Sequence, residues 1–250
     1  MFFFEKILAR ISKSKYKCNI ILKGGLLLSS IIGDAERTTK DMDATLKSMS
    51  LEKENIESIL NEILSIDLKD NVVFKILDIK DIREDDEYGG FKVDMMATME
   101  NLKVHIAIEI TTGDRITPKE IEYNYKSIFE NKKISILTYT IETVIAEKYQ
   151  TIITRGILNT RMKDFYDLYI LISKNKDIIN IENLRTAIKN TFKHRKTEID
   201  VIKIQEVIAE IEIDKDMKNL WINYQKTATY ANRIKYEDLF EALNFITSIL

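Results

Sequence analysis

The stretch Lys23–Asp43, KGGLLLSSIIGDAERTTKDMD, decides how this chain is read. Its paired glycines follow the apolar run 18–22, read as a first strand, and the mainly apolar segment 26–32 reads as a short helix stopped by Gly33. A second strand is expected over 41–46. Side chains alternate along a strand, so Asp41, Asp43 and Thr45 belong to one face and Met42, Ala44 and Leu46 to the other. Strand, glycines, helix and acidic strand then form one unit that brings Gly24 and Gly25 to the same edge as the two aspartates.

Carboxylates one strand repeat apart can bridge two Mg2+ ions roughly 3.5 to 4 Å apart, an arrangement suited to in-line attack at phosphorus. Glycine at the preceding turn lets phosphate groups approach the backbone, because no Cβ stands in the way. Read alone, a glycine pair is a tight turn and an acidic strand edge is a solvated face. Their order and spacing favour the chemical reading.

The 250 residues carry 38 basic and 40 acidic side chains, a formal net charge of −2. Global charge therefore does not mark a nucleic-acid binder, and any such role needs a local patch. Hydrophobic residues make up 45% and a single proline and seven glycines leave little room for linkers, which points to a folded, helix-rich protein. The length allows two modest domains. Cys18 has no partner for a disulfide and is read as a core thiol in a reducing compartment. The opening MFFFEKILARISKSK is broken by Glu5 and Lys6 and reads as an amphipathic helix, not a signal peptide. No run reaches the about 18 apolar residues of a membrane span, so a cytoplasmic location is expected.

Along the chain, Phe3, Ile7, Leu8 and Ile11 give residues 2–13 a helical stripe, and Ile56, Ile59, Leu60, Ile63 and Leu64 do the same after Ser50. Strands are expected over 72–79, 90–99 and 103–111, with Glu100 and Asn101 turning a hairpin. In the last of these Val104, Ile106, Ile108 and Ile110 share one face, which leaves Glu109 on the other as a candidate third carboxylate. Asp94 offers the same geometry one strand earlier. From about residue 139 the pattern is helical to the end, which sets domains at 1–138 and 139–250. Lys148 falls on the apolar stripe of Ile141, Ile145 and Ile152, so its stem snorkels to water or its ammonium meets an anion. Asp164 and Asp167 lie three apart beside a second apolar stripe. Helices are also expected near 181–193, 201–211, 216–229 and 235–249. The basic cluster Lys193–Lys196 reads as a solvated helix end, Trp221, Tyr224 and Tyr230 as packing residues, and His105 and His194 lack partners at zinc-ligand spacing.

The glycine pair followed by the aspartates of RTTKDMD resembles the nucleotidyltransferase superfold related to DNA polymerase β, and in detail the AbiEii/AbiGii-type nucleotidyltransferase toxin family. The segment IEITTGDRITP around Glu109, Gly113, Asp114 and Pro118 is similar to the family's third-carboxylate strand end, where many members have Asp in place of Glu109. AEKYQTIITRG, with Lys148, resembles its phosphate-contacting segment, and Arg161, Lys163, Asp164 and Asp167 match its RxKDxxD motif. The matching segments span about 20 to 170. The resemblance implies an α/β (α+β) nucleotidyltransferase domain with a mixed sheet, followed by a C-terminal helical domain that closes one side of a cleft.

It further implies two Mg2+ ions on Asp41, Asp43 and Glu109, with Gly24, Gly25, Thr39 and Lys148 positioning an NTP. Arg161, Lys163 and Asp167 would serve nucleotide binding, and Asp164 would act as a base or nucleotide contact. The expected activity is transfer of NMP to an RNA acceptor, with the 3′ end of tRNA as first choice, by the toxin of a toxin–antitoxin or abortive-infection pair with a separately encoded antitoxin. Transfer to a small molecule, as in aminoglycoside nucleotidyltransferases, and a catalytically silent binding module are the competing readings.

Overall fold

A computed structural model of the chain describes residues 1–33, 37, 39, 41–82 and 89–250. Thr38 and Lys40 of the RTTKDMD segment lie outside the described residues. The chain divides into two compact units. One comprises Met1–Ile31, Thr38–Asp114 and Glu120–Tyr139, and the other Ile32–Arg37, Arg115–Lys119 and Thr140–Leu250.

The first unit is a mixed sheet of β1 (Ile20–Lys23), β2 (Met42–Leu46), β3 (Val72–Ile82), β4 (Gly90–Met99), β5 (Leu102–Thr111), β6 (Ile121–Lys126) and β7 (Lys133–Thr138). The strands run in the order β3-β4-β5-β2-β1-β7-β6. Pairings β2–β5 and β1–β7 are parallel, and the other four are antiparallel. Alternation builds the core: Ile106, Ile108 and Ile110 of β5 and Met42 and Ala44 of β2 are all buried, each large apolar side chain stabilising by about 1.5 to 3 kcal/mol.

Helix α1 (Phe2–Lys13) and helix α3 (Lys53–Leu64) pack against each other, α1 also against β7 and α3 against β3. Both bury the stripes expected of them. Three charged residues on α1, Glu5, Lys6 and Arg10, are buried as well. Glu5 accepts from the backbone N–H of Ile128 at 2.8 Å, and Arg10 forks onto both carboxylate oxygens of Asp70 at 2.8 Å.

Helix α2 (Gly24–Ile32) starts directly after β1, so the two glycines form its first turn and not a separate bend. The expected strand over 18–22 shifts to Ile20–Lys23, and this corrects the reading of Cys18: it lies in the turn before β1 and is exposed, not a core thiol. The segment before residue 139 holds two further strands, β6 and β7, that sequence alternation left unassigned. Each is six residues long and half exposed.

The second unit contains helices α4 (Ile141–Arg155), α5 (Met162–Asn175), α6 (Ile181–His194), α7 (Val201–Ile213), α8 (Lys215–Thr227) and α9 (Leu239–Ser248). The starts of α4, α6, α7 and α8 follow from side-chain caps, because a short polar side chain satisfies an orphan N–H of the first turn. Thr140 accepts from Thr143 N, Asn180 from Asn183 N, Asp200 from Ile202 N and Lys203 N, and Asp214 from Met217 N. Helix α4 packs on α5 and α6, and α5 on α9. Arg195, in the basic cluster after α6, donates to Gln150 Oε1 at 2.7 Å and to Thr151 Oγ1 at 2.9 Å, tying that helix end to α4. Trp221 is buried and stacks on Tyr224 with ring centroids 5.5 Å apart, in keeping with a packing role. No helix among the described residues is long and apolar enough to cross a membrane.

Candidate active site

The parallel register of β2 and β5 sets Asp43 opposite Glu109 and Thr45 opposite Thr111. Directly paired residues project to the same face, so the two carboxylates stand side by side on the face away from Met42, Ala44, Ile108 and Ile110. On the far side of β5, Lys92 of β4 is paired with Glu109, its Nζ 3.9 Å from Oε1. Asp94 is paired with Ala107, one strand farther from Asp43, and its carboxylate meets Lys80 at 3.2 Å and His105 Nε2 at 4.0 Å. Of the two candidates for a third acid, Glu109 is therefore the one beside Asp43.

Asp43 leans against the start of α2. Gly24 adopts φ +66°, and a Cβ built there would lie 1.9 Å from Asp43 Oδ2. A left-handed residue without a side chain is what this approach demands. The next N–H, that of Gly25, points to the same oxygen at 3.4 Å, with the positive end of the helix dipole behind it. Asp41 precedes the first residue of β2 and is exposed. Thr39 lies beside it, its hydroxyl donating to Asp41 O at 3.1 Å and receiving Asp41 N at 3.4 Å. Among the described residues no three His, Cys, Asp or Glu side chains are gathered closely enough to hold a metal by themselves.

Behind the acids lies a buried polar network that the sequence did not reveal. Asp114 Oδ2 accepts from Lys23 Nζ, from Thr45 Oγ1 at 2.9 Å, from Thr111 Oγ1 at 3.0 Å and from Tyr139 Oη at 2.9 Å. Burial would raise the Asp114 pKa, but Lys23 and these hydroxyls outweigh it and hold the carboxyl well below the usual range. Asp114 belonged to the GD turn of the sequence motif, yet nothing in the spacing of residues 23, 45, 111 and 139 linked it to the others.

In the helical unit, Lys148 meets protein anions and does not snorkel to water. Its Nζ is 2.7 Å from Asp164 Oδ1 and 2.7 Å from Asp167 Oδ2. Arg161 Nε reaches Asp164 Oδ2 at 3.1 Å, and Arg37 forks onto Asp167 through Nε at 2.8 Å and Nη2 at 3.3 Å. Asp164 and Asp167 are both buried. Lys163, the remaining residue of the motif, is exposed. Burial works against the charged form of Lys148, yet the two aspartates override it and raise its pKa; burial likewise opposes Asp164, where Lys148 and Arg161 prevail and lower it. An acid so held is ionised but a weak proton acceptor, better suited to fixing Lys148 than to general-base work. Arg37, 130 residues from its partner, was not singled out by the sequence, since a lone arginine outside any periodic pattern carries no signal.

A cavity of about 950 Å3 lies elsewhere in the sheet unit, lined by Lys6, Lys13, Lys17, Glu130, Lys132 and Lys133 among others, and contains none of the expected site residues.

Two solved structures are similar to this chain at the level of fold. A candidate nucleotidyltransferase from H. pylori is 17% identical, with 98% of this chain and 92% of that one covered and a TM-score of 0.49. JHP933 from Helicobacter pylori is 16% identical, with coverage of 98% and 89% and a TM-score of 0.49. No curated protein matches. The model of one family, described as nucleotidyl transferase AbiEii toxin of type IV toxin–antitoxin systems, matches residues 6–243. That match takes in nearly the whole length, the acidic strands and the helical charge network alike, and the chain belongs to the AbiEii nucleotidyltransferase toxin family.

Proposed function

We propose that the protein transfers a nucleoside monophosphate from an NTP to an RNA hydroxyl, the 3′ end of tRNA being the first candidate, in a Mg2+-dependent reaction that a separately encoded antitoxin opposes. The observation that carries this reading is the side-by-side placement of Asp43 and Glu109, with the Gly24–Gly25 backbone against Asp43.

The donor set fits Mg2+. Carboxylate oxygens are hard ligands, and this ion is commonly held by one or two carboxylates while substrate phosphates and water fill its remaining positions. Asp43 and Glu109 supply the pair, and Asp41, just ahead of the strand, is the third acid assigned to it. A set that falls short of a complete protein cage suits a metal that arrives with its nucleotide. Bound there, the ions supply charge neutralisation on the triphosphate and on the attacking hydroxyl.

The chain's own residues do the rest by placement. Gly24 and Gly25 keep the backbone clear of side chains where phosphates approach, and the Gly25 N–H orients Asp43. Thr39 fixes the backbone at Asp41. Lys148, its ammonium oriented by Asp164 and Asp167, and Arg161 and Lys163 are assigned to nucleotide phosphates. Catalysis by positioning and fixed charge needs no covalent intermediate on the protein.

The test is incubation of the full chain with each labelled NTP, Mg2+ and total RNA. Wild type labels an RNA that the Asp41→Ala, Asp43→Ala double variant does not, and expression arrests growth only with the acids intact. Equal labelling by both proteins refutes the assignment.

A further inference from the structure

Lys23 is the β1 residue paired with Asp43 in the antiparallel register of β1 and β2. Paired residues share a face, so a lysine grows from the position next to the carboxylate assigned to Mg2+. An ammonium there is within reach of Asp43, and a salt bridge would cancel the charge that a divalent cation needs. It does not form. The side chain turns to Asp114 and Thr111, with Nζ 2.7 Å from Thr111 Oγ1 and 5.4 Å from the centroid of the Tyr139 ring. Asp114 is itself clamped by Thr45, Thr111 and Tyr139, and both members of the Lys23–Asp114 pair are less than a tenth exposed.

The clamp is built from the site's own strands. Thr45 is two residues after Asp43 and Thr111 two residues after Glu109, each on the same face as its acid. One buried carboxylate therefore gathers β1, β2 and β5 immediately behind the acid pair and takes up the lysine paired with Asp43.

We propose that Asp114 is a positioning residue that sequesters the Lys23 ammonium, leaving Asp43 its negative charge for a divalent cation carried with the nucleotide. This rests on the reading of Asp43 and Glu109 as cation ligands. Freed from Asp114, the Lys23 ammonium pairs with Asp43 and competes with the metal. Replacing Lys23 and Asp114 together by uncharged residues of similar volume removes the competitor along with its restraint, and buried ion pairs often tolerate such replacement.

The experiment measures Mn2+ binding to the full-length protein in the presence of a non-hydrolysable NTP, by paramagnetic resonance of the free ion. Wild type binds Mn2+, and Asp43→Asn abolishes the binding. Asp114→Asn weakens it about tenfold or more, as one positive charge within about 4 Å of a ligating carboxylate should. Adding Lys23→Met to Asp114→Asn restores affinity to within about twofold of wild type. A merely structural role for Asp114 moves stability without this reversal. Should Asp114→Asn not fold, Thr111→Val, which removes a hydroxyl shared by Lys23 and Asp114, shifts affinity in the same direction and Lys23→Met reverses it. Unchanged affinity in Asp114→Asn, or failure of Lys23→Met to restore it, overturns the sequestration while the cation reading stands. A wild type that binds no Mn2+ overturns both.

Discussion

A Cβ at Gly24 would stand 1.9 Å from Oδ2 of Asp43, so the first residue of α2 and the central acid of β2 occupy space that only glycine leaves open. Gly24→Ala meets two penalties. The backbone at φ +66° strains any side chain by about 1 to 2 kcal/mol, and the methyl displaces the carboxylate. We expect a modest fall in the midpoint of thermal unfolding and a fall in label transfer on the order of a hundredfold, because misplacing a ligating group by about an ångström is costly. Circular dichroism alongside the transfer assay separates the two effects.

Asp167 is the hinge of the helical charge network, held between Lys148 and Arg37 and fully buried. Removing one member of such a set leaves buried cations uncompensated, which costs about 3 to 5 kcal/mol. Asp167→Ala is expected to destabilise by that amount in urea unfolding, and Lys163→Ala, on the exposed side of the same motif, by less than about 0.5 kcal/mol. Equal effects would remove the distinction between the two positions.

Acid should unfold the protein through two carboxylates. Asp114 and Asp164 both titrate below their ordinary range when folded, because the cations beside them outweigh the cost of burial. A depressed folded pKa contributes stability that is complete above the unfolded value of about 3.9 and disappears as pH falls through the folded one. Denaturant midpoints should be insensitive to these groups between about pH 5 and 7 and should fall steeply below about pH 4. Asp164→Asn should be less stable at neutral pH and show a shallower acid limb; a limb as steep as that of wild type would mean that Asp164 is not one of the responsible groups.

What was legible in the sequence was whatever repeats along the chain. The stripes of α1 and α3, the alternation of β5 and the two aspartates at 41 and 43 are periodic signals, and they placed Glu109 off the core face before any register was known. The strands β6 and β7 escaped because each is short and half exposed, with too few alternations to stand out from a loop. Cys18 was misread for a related reason: apolar neighbours were taken as strand where the strand begins at Ile20. Contacts between distant residues were invisible. The Arg37–Asp167 pair and the four donors around Asp114 depend on the closed fold, and the sequence offers no period that links them. Lys148 was legible as a misplaced charge on an apolar face, but not the identity of the anions it meets.

If Asp43 and Glu109 together form the reacting centre, single substitutions on the neighbouring strands β5 and β4 must differ in their effect. Transfer of label from NTP to RNA is to be measured for wild type, Glu109→Gln and Asp94→Asn at saturating Mg2+. Glu109→Gln is predicted to lose transfer by about a hundredfold or more while Asp94→Asn stays within about threefold of wild type. Loss in Asp94→Asn with activity kept in Glu109→Gln would contradict the account.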